Sequence, residues 1–140
     1  MKSAEDVESY LMRMGIGYDT MQPGIWVLKT DGTPLDGTPL VVSIAGPVVA
    51  FRLKVMDVPP PGPVREELFR KLLSLNTTEM IHGAYGLEGD SVVVVHALEI
   101  ENLDLNEFQA VIDDMSMAVA KHQTLLSRHT GLSTNAAPAH

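Results

Sequence analysis

A segment rich in proline divides the sequence near its middle and limits the elements that can stand there. Four of the six residues of Val58-Pro59-Pro60-Pro61-Gly62-Pro63 are prolines, which lack a backbone donor and have a fixed φ angle. The segment therefore predicts a stiff, extended connection. Pro63 suits the first turn of a helix that begins there.

The part before this segment predicts one helix followed by three or four strands. Ser3 can cap a helix whose apolar stripe is Val7, Leu11 and Met14. Gly15 follows at the position where a left-handed residue would end such a helix.

Four apolar segments predict the strands. Residues 16–21 and 25–29 can pair around a turn at 22–24. Leu40 to Ala45 and Val48 to Met56 are rich in β-branched residues, which favours a buried antiparallel hairpin. We expect this hairpin to form the centre of the sheet.

A tandem repeat lies between the second and third of these segments. Asp31-Gly32-Thr33-Pro34-Leu35 is followed directly by Asp36-Gly37-Thr38-Pro39-Leu40. Asp-Gly favours turns, and proline withholds a donor from a strand ladder. We interpret the repeat as a lengthened connecting loop in preference to a binding motif.

The part after the prolines predicts a helix from Val64. Leu68, Leu72 and Leu75 recur at helical spacing, and Asn76 can end the helix in the left-handed region.

A second hairpin and a long helix complete the chain. Gly83 to Leu87 and Ser91 to Leu98 can pair around the turn Gly89-Asp90. Val92 to Val95 shows no polar alternation, so we expect both faces of that strand to be covered. The final helix begins at Asp104 with capping-box-like spacing to the acidic residue three positions later. Its apolar stripe consists of Phe108, Val111, Ile112, Met115, Val119 and Leu126.

These elements predict an α+β fold with the order α-β-β-β(-β)-α-β-β-α, in which three helices accompany an antiparallel sheet of five to six strands. We expect one domain over residues 1–129 and a disordered tail over residues 130–140, which are small, polar and aperiodic.

Composition and charge limit the classes of partner that the chain is expected to bind. A formal charge of -8 and a pI near 4.9 would repel phosphate backbones and anionic lipid headgroups. The N-terminus lacks the apolar core of a secretory signal, no apolar run approaches the roughly 20 residues of a membrane span, and there is no cysteine. We expect a cytoplasmic protein without a nucleic-acid or membrane partner.

The acidity is concentrated in one part of the sequence. No Lys or Arg stands between Leu72 and Ala120, a stretch that holds nine acidic residues. The second hairpin and last helix should therefore carry a negative surface that favours basic or amphipathic polypeptides. The nine residues are Glu79, Glu88, Asp90, Glu99, Glu101, Asp104, Glu107, Asp113 and Asp114.

The residues that could carry chemistry form no constellation in the sequence. His122 and Asp114 are eight residues apart, which is not the i, i+4 spacing of a helical metal clip. Adjacent carboxylates such as Glu66-Glu67 point in different directions on a helix, and no Gly-x-Ser-x-Gly elbow is present. We expect no catalytic, cofactor or metal site, and therefore no enzyme. The five histidines are His82, His96, His122, His129 and His140.

Three stretches carry a resemblance to a known family. They are Leu72-Leu73-Ser74-Leu75-Asn76, Gly83-Ala84-Tyr85-Gly86-Leu87, and the strand Ser91 to Leu98 with the amphipathic helix after it. Over about residues 3–128 the chain resembles the YbjN family, which shares its fold with class I type III secretion chaperones of the CesT type. The resemblance implies a non-enzymatic dimer that holds a partner polypeptide on sheet and helix surfaces.

The resemblance also implies positions for the two kinds of contact. Methionine suits a partner surface because its thioether adapts to varied shapes, although each of these side chains can instead belong to the core. The implied dimer contacts are Leu68, Leu72, Leu75, Val92 and Val94. The implied partner contacts are Met12, Met14, Met21 and Trp26.

Two other classes of function stay open. A small-ligand sensor domain would enclose an apolar pocket between sheet and helices. An enzyme would use His82 or His96 with a nearby carboxylate. The roadblock fold is a neighbouring architecture with two strands before its middle helix and three after it, so strand counts distinguish it.

Overall fold

The computed structural model describes residues 3–29 and 38–127. Its elements follow the predicted order, with four strands before the middle helix and two after it, which is not the roadblock pattern. Most of the duplicated loop and the predicted tail lie outside the described residues. The elements are α1 (Ala4–Met14), β1 (Tyr18–Gln22), β2 (Ile25–Leu28), β3 (Leu40–Ala45), β4 (Val48–Asp57), α2 (Pro63–Thr78), β5 (Ala84–Glu88), β6 (Ser91–Glu99) and α3 (Leu105–Ser127).

The strands form one antiparallel sheet of order β1-β2-β3-β4-β6-β5. β3 and β4 are the two middle strands, which confirms the predicted centre. β1 and β5 are the two edges. Because β6 pairs with β4 and not with β3, the second hairpin extends the sheet on the side opposite the first strands.

Alternate residues of the strands build the core against the helices. The ring of Phe51 on β4 lies 5.4 Å from that of Phe108 on α3, and Tyr10 on α1 lies 5.6 Å from the same ring. The hydroxyl of Tyr10 donates to the carbonyl oxygen of Leu103 at 3.0 Å. All six residues of the predicted α3 stripe are buried, which confirms the helical period as the signal for that element.

The helix ends follow the capping chemistry of the sequence in two cases. The N–H of Ser3 donates to Asp6 Oδ2 at 2.7 Å, and Gly15 ends α1 with a φ of 74°. Asp104 Oδ1 accepts the N–H of Glu107 at 2.7 Å before α3.

The end of α2 differs from the prediction. The expectation that Asn76 ends this helix in the left-handed region is wrong, because α2 continues to Thr78 and no non-glycine residue of the described chain has a positive φ. The Asn76 carboxamide instead bonds the backbone of Tyr85. Its Nδ2 donates to the Tyr85 carbonyl oxygen at 3.1 Å, and the Tyr85 N–H donates to its Oδ1 at 2.7 Å.

The face of the sheet away from the core is more open than the valine run predicts. Three of the four valines are buried, but Val95 is 42% exposed. The prediction that both faces of this strand are covered along the whole run is therefore wrong. Val93 is absent from the core cluster but is buried, and an ion pair joins Arg52 to Glu88 across β6. Arg52 is opposite Val95 and Glu88 is opposite Ser91, so this ion pair crosses β6 diagonally at the position of Val93.

Candidate partner-binding surface

The four residues that the resemblance assigns to partner contact lie on or under α1 and the first strands. Trp26 is fully buried, and its Nε1 donates to Glu8 Oε2 on α1 at 3.0 Å. Trp26 therefore holds α1 against β2. Direct contact of Trp26 with a partner stays a prediction.

Two of the three methionines are on the surface. Met12 is 67% exposed and Met21 is 64% exposed, whereas Met14 is half-buried against the core. Met12 also lines a surface depression of about 460 Å³ on α1. The other residues of this depression are Glu5, Glu8, Ser9 and Arg13.

The outer edge of β1 carries backbone groups without partners. The Gly17 carbonyl oxygen accepts the N–H of Lys29 at 2.8 Å, so Gly17 faces the neighbouring strand. Because backbone groups of a strand alternate in direction, those of Tyr18 and Thr20 point outward. No hydrogen-bond partner for these groups lies among residues 3–29 and 38–127.

A β-bulge lies at the end of this edge. The register between β1 and β2 shifts between Thr20 and Gln22, which leaves Met21 as the extra residue. A bulge redirects the side chain at its extra position, and Met21 is exposed here. The regular part of the edge therefore ends at Thr20, with a flexible apolar side chain beside it.

The opposite edge of the sheet is closed by a network behind β5. The hydroxyl of Tyr85 is hydrogen-bonded to Nδ1 of His122 at 2.7 Å. His122 Nε2 has no hydrogen-bond partner in the described part of the chain and lies 3.8 Å from Glu79 Oε1. Lys121 donates to the same Glu79 oxygen at 2.8 Å. The network joins β5, α3 and the end of α2.

The surroundings of His122, Tyr85 and Glu79 shift the pKa values of all three groups. Burial lowers the pKa of His122, and the nearby Glu79 opposes that effect. Burial raises the pKa of the Tyr85 hydroxyl. The hydrogen bond from Lys121 lowers the pKa of Glu79. These shifts favour a neutral imidazole and a neutral phenol at the centre of the network.

A second histidine cluster holds the start of β5. His82 Nδ1 is hydrogen-bonded to Asp114 Oδ2, and the ring of His96 stands edge-on to that of His82 at 5.5 Å. The Gly83 N–H donates to His96 Nδ1 at 3.0 Å. Burial, and then the nearby His82, lower the pKa of His96.

Sequence reasoning missed this cluster because Asp114 pairs with His82, which is 32 residues away, and not with His122 on its own helix. The carboxylate that the enzyme hypothesis requires is thus present. Its contacts nonetheless join the start of β5 to α3, which is a structural use. Within residues 3–29 and 38–127, no three His, Cys, Asp or Glu side chains are grouped so as to hold a metal ion.

The residues assigned to dimer contact are buried within one chain. Leu68, Leu72, Leu75, Val92 and Val94 are at most 5% exposed. They therefore offer a second copy almost no surface of their own, and their role in a dimer stays a prediction. The large apolar side chains exposed on the same elements and on β5 are Val64, Leu73, Leu87 and Val95.

The stretch that carries the resemblance has structural roles. Asn76 bonds the edge of β5, as described above. Gly83 has a φ of 91°, and a Cβ at that position would lie 3.0 Å from Val94 Cγ1 and 3.3 Å from Met115 Cγ. Only glycine fits such a position without a shift of its neighbours. These residues specify how α2 and α3 hold β5, which explains why the pattern identifies a fold better than a reaction.

The alternative of a ligand pocket enclosed by sheet and helices finds no support in the depressions. One depression lies on α1, and another of about 440 Å³ lies where turns meet at one end of the sheet. Both are at the surface. Among the described residues, no helix is both long enough and apolar enough to cross a membrane.

The sequence matches one family model. The model CesT_Tir_1 matches residues 1–131. No curated protein matches the sequence.

The chain is similar in fold to several solved structures. One is the heterodimeric ExoU-SpcU complex of the type III secretion system of Pseudomonas aeruginosa, with a TM-score of 0.64, 13% identity and coverage of 88% of this chain and 96% of that chain. The ExsC-ExsE complex has a TM-score of 0.65 and 17% identity, and the match covers 90% of this chain and 97% of that chain. YbjN from E. coli has a TM-score of 0.64 and 12% identity, and the match covers 87% of this chain and 92% of that chain. These similarities confirm the fold that the sequence predicts.

Proposed function

This chain belongs to the CesT_Tir_1 family of type III secretion chaperones, and on that premise we propose that it binds an extended segment of a partner polypeptide along α1 and the outer edge of β1. The ExoU-SpcU and ExsC-ExsE structures are complexes, and the HopA1-SchA structure of similar fold is a chaperone-effector complex. These relatives support a polypeptide as the partner.

The observation that carries the proposal is the unpaired edge. An extended segment that lies beside β1 gains main-chain hydrogen bonds to the outward groups of Tyr18 and Thr20. Met21 stands at the end of that edge and Met12 is exposed on α1, and both side chains can adapt to different side chains of the segment. Binding of this kind needs no catalytic group, so the proposed function is non-enzymatic.

Substitution of the exposed methionines tests the proposal. A partner is first captured with the wild-type protein, and its bound segment is then titrated as a labelled peptide by fluorescence anisotropy. We expect the Met12→Glu/Met21→Glu double variant to weaken binding by about tenfold or more, since a charge would face apolar contacts. Met117→Glu is the matched control, because Met117 is 69% exposed on α3.

Substitution of the edge backbone tests the mode of binding. Thr20→Pro removes an outward N–H and should weaken peptide binding, whereas Thr20→Val keeps that N–H and should bind as the wild type does. Equal affinity of the proline variant and the wild type would contradict pairing along β1.

We also propose that the protein forms a homodimer through α2 and the second hairpin. Exposed Val64 and Leu73 on α2 and exposed Leu87 on β5 support this surface, because exposed large apolar side chains favour association. Light scattering at tens of micromolar should give twice the chain mass. Leu73→Asp should shift the protein to the monomer, and Met117→Asp should not. A monomeric wild type would refute the dimer and leave the partner site untouched.

A further inference from the structure

An apolar depression of about 440 Å³ lies at one end of the sheet. The β1–β2 turn and the β3–β4 turn lie at the same end of the sheet because every second connection of an antiparallel sheet does, and β6 ends beside the start of β4. The start of α1 completes the wall. Its apolar lining includes Pro23, Ile44, Pro47 and Ile100. The volume falls within the range of roughly 300–1,000 Å³ that is usual for ligand sites.

Backbone hydrogen bonds hold the walls of this depression in place. The N–H of Ile44 donates to the Gly24 carbonyl oxygen at 2.9 Å, which joins the first turn to β3. The N–H of Ile100 donates to the Pro47 carbonyl oxygen at 2.9 Å, which joins the second turn to the end of β6. A site that exists before binding loses less conformational entropy when it is occupied.

The rim of the depression is negative. Glu99 and Glu101 line it and are exposed, and no Lys or Arg is among its lining residues. Neither carboxylate takes part in an ion pair with another described residue. We call this site, with its apolar lining and its two glutamates, the acid-rimmed depression.

We propose that the acid-rimmed depression receives a lysine or arginine side chain of the partner polypeptide, an inference that rests on the proposed function. Lysine and arginine combine an aliphatic stem with a cationic head. The stem fits the apolar lining, and the head reaches Glu99 and Glu101 at the rim. An acidic side chain would be repelled, and a purely apolar one would leave both carboxylates without a counter-charge.

The acid-rimmed depression begins directly after the end of β1. Pro23 and Gly24 line it and follow β1 directly. A segment that pairs with Thr20 and continues past Gln22 therefore reaches the depression.

The test is a nuclear magnetic resonance titration of the ¹⁵N-labelled protein with two peptides. The first is acetyl-Leu-Arg-Leu-Arg-Leu-amide, and the second carries citrulline in place of each arginine, which removes the charge and keeps the shape. We expect the arginine peptide to shift the amide signals of residues 23–24, 44–47 and 99–101. It should bind about fivefold more tightly than the citrulline peptide, in line with two partly exposed ion pairs.

Substitutions locate the charge that is responsible. The Glu99→Gln/Glu101→Gln double variant should bind the arginine peptide only as tightly as the citrulline peptide. The control is Glu66→Gln/Asp113→Asn, which makes the same change in net charge at exposed positions on α2 and α3. It should stay within about twofold of the wild type, because charges beyond a Debye length are largely screened.

The outcomes separate this inference from the proposed function. Equal binding of the two peptides, or no effect of the glutamate substitutions, overturns the inference. Shifts confined to residues 18–22 would then leave the proposed function standing. Shifts at the depression that persist unchanged in Thr20→Pro would support the basic-residue site and refute pairing along β1. Signals of the depression that move with protein concentration alone would identify a second copy as the occupant and overturn the inference.

Discussion

The two edges of the sheet are treated in opposite ways. At β5, the outward N–H and carbonyl of Tyr85 both bond the carboxamide of Asn76, and the strand is backed by His122 and Glu79. At β1, the outward groups of Tyr18 and Thr20 have no partner in the described part of the chain. The Asn76 side chain of α2 closes one edge at Tyr85, whereas no described residue bonds the outward groups of Tyr18 and Thr20 at the other.

We expect the β5 edge to contribute to the stability of the fold and the β1 edge to contribute to partner binding. An edge strand presents unpaired groups that can template another strand, and proteins usually cover or distort it. Here the closed edge lies beside the helices that complete the core, so changes there should affect folding. The open edge has exposed methionines instead, so changes there should affect association and leave folding almost unchanged.

The largest expected effect is that of Gly83→Ala on the closed edge. The added Cβ would meet Val94 Cγ1 at 3.0 Å and Met115 at 3.3 Å, at a φ of 91° that alanine rarely adopts. We expect the free energy of unfolding to fall by about 3 kcal/mol, as measured by urea denaturation. Gly86→Ala is the control, since a Cβ there meets nothing within 4 Å. Equal destabilisation by both would mean that close packing at Gly83 is not the cause.

Asn76→Ala should have the next largest effect. The change removes both hydrogen bonds to Tyr85 and leaves a backbone N–H of β5 without its partner. We expect a loss of about 2 kcal/mol, slightly reduced by the better helix propensity of alanine. Amide exchange at Tyr85 should be faster in the variant.

The neighbouring position provides the control for that variant. Thr77 is exposed, and its hydroxyl bonds the Leu73 carbonyl oxygen within the same helix. Thr77→Ala should therefore change the free energy of unfolding by less than about 0.5 kcal/mol. If Thr77→Ala and Asn76→Ala were equally destabilising, the effect would belong to α2 alone and not to its bond with the sheet edge.

Local patterns were sufficient to predict most elements of the fold. The stripe from Phe108 to Leu126, the turn at Gly89-Asp90 and the left-handed Gly15 depend on neighbouring residues, and the structure confirms all three. The role of Asn76 was mispredicted because the local rule for helix ends ignores a partner on another element. The bond of its carboxamide to Tyr85 exists only once α2 lies beside β5.

The candidate site was less predictable because exposure depends on strand order. The resemblance groups Trp26 with Met12 and Met21, but the side chain of Trp26 faces α1 and is buried. The pairing of His82 with Asp114 links residues 32 positions apart, which no helical or strand period encodes. A sequence shows which strands exist, but not which of them is left at an open edge.

The pH dependence of stability should reveal the histidine cluster at the closed edge. His96 has a pKa below its ordinary 6.5 in the folded protein, because of burial and the nearby His82. The unfolded chain therefore binds a proton more readily than the folded one, so stability is complete above about pH 6.5 and falls as the pH drops below it. Protonated Nδ1 also cannot accept the N–H of Gly83.

His96→Asn tests this origin of the pH dependence. The Oδ1 of asparagine can accept the Gly83 N–H but does not titrate. We expect urea denaturation between pH 5 and pH 7 to show a shallower fall in stability for this variant than for the wild type. The buried His122, whose pKa is also lowered, should supply the part that remains. A slope identical to that of the wild type would exclude His96 as a source.

Thr20→Pro at the open edge should have only a small effect on stability. The N–H of Thr20 points away from β2, so proline removes no ladder bond there, and edge strands tolerate proline at such positions. We expect a change of less than about 1 kcal/mol in the free energy of unfolding. Asp19→Pro, one position earlier, removes an N–H that faces β2 and should destabilise by about 2 kcal/mol or more. Equal destabilisation by both prolines would mean that the β1 edge is not open, and the contrast between the two edges would fail with it.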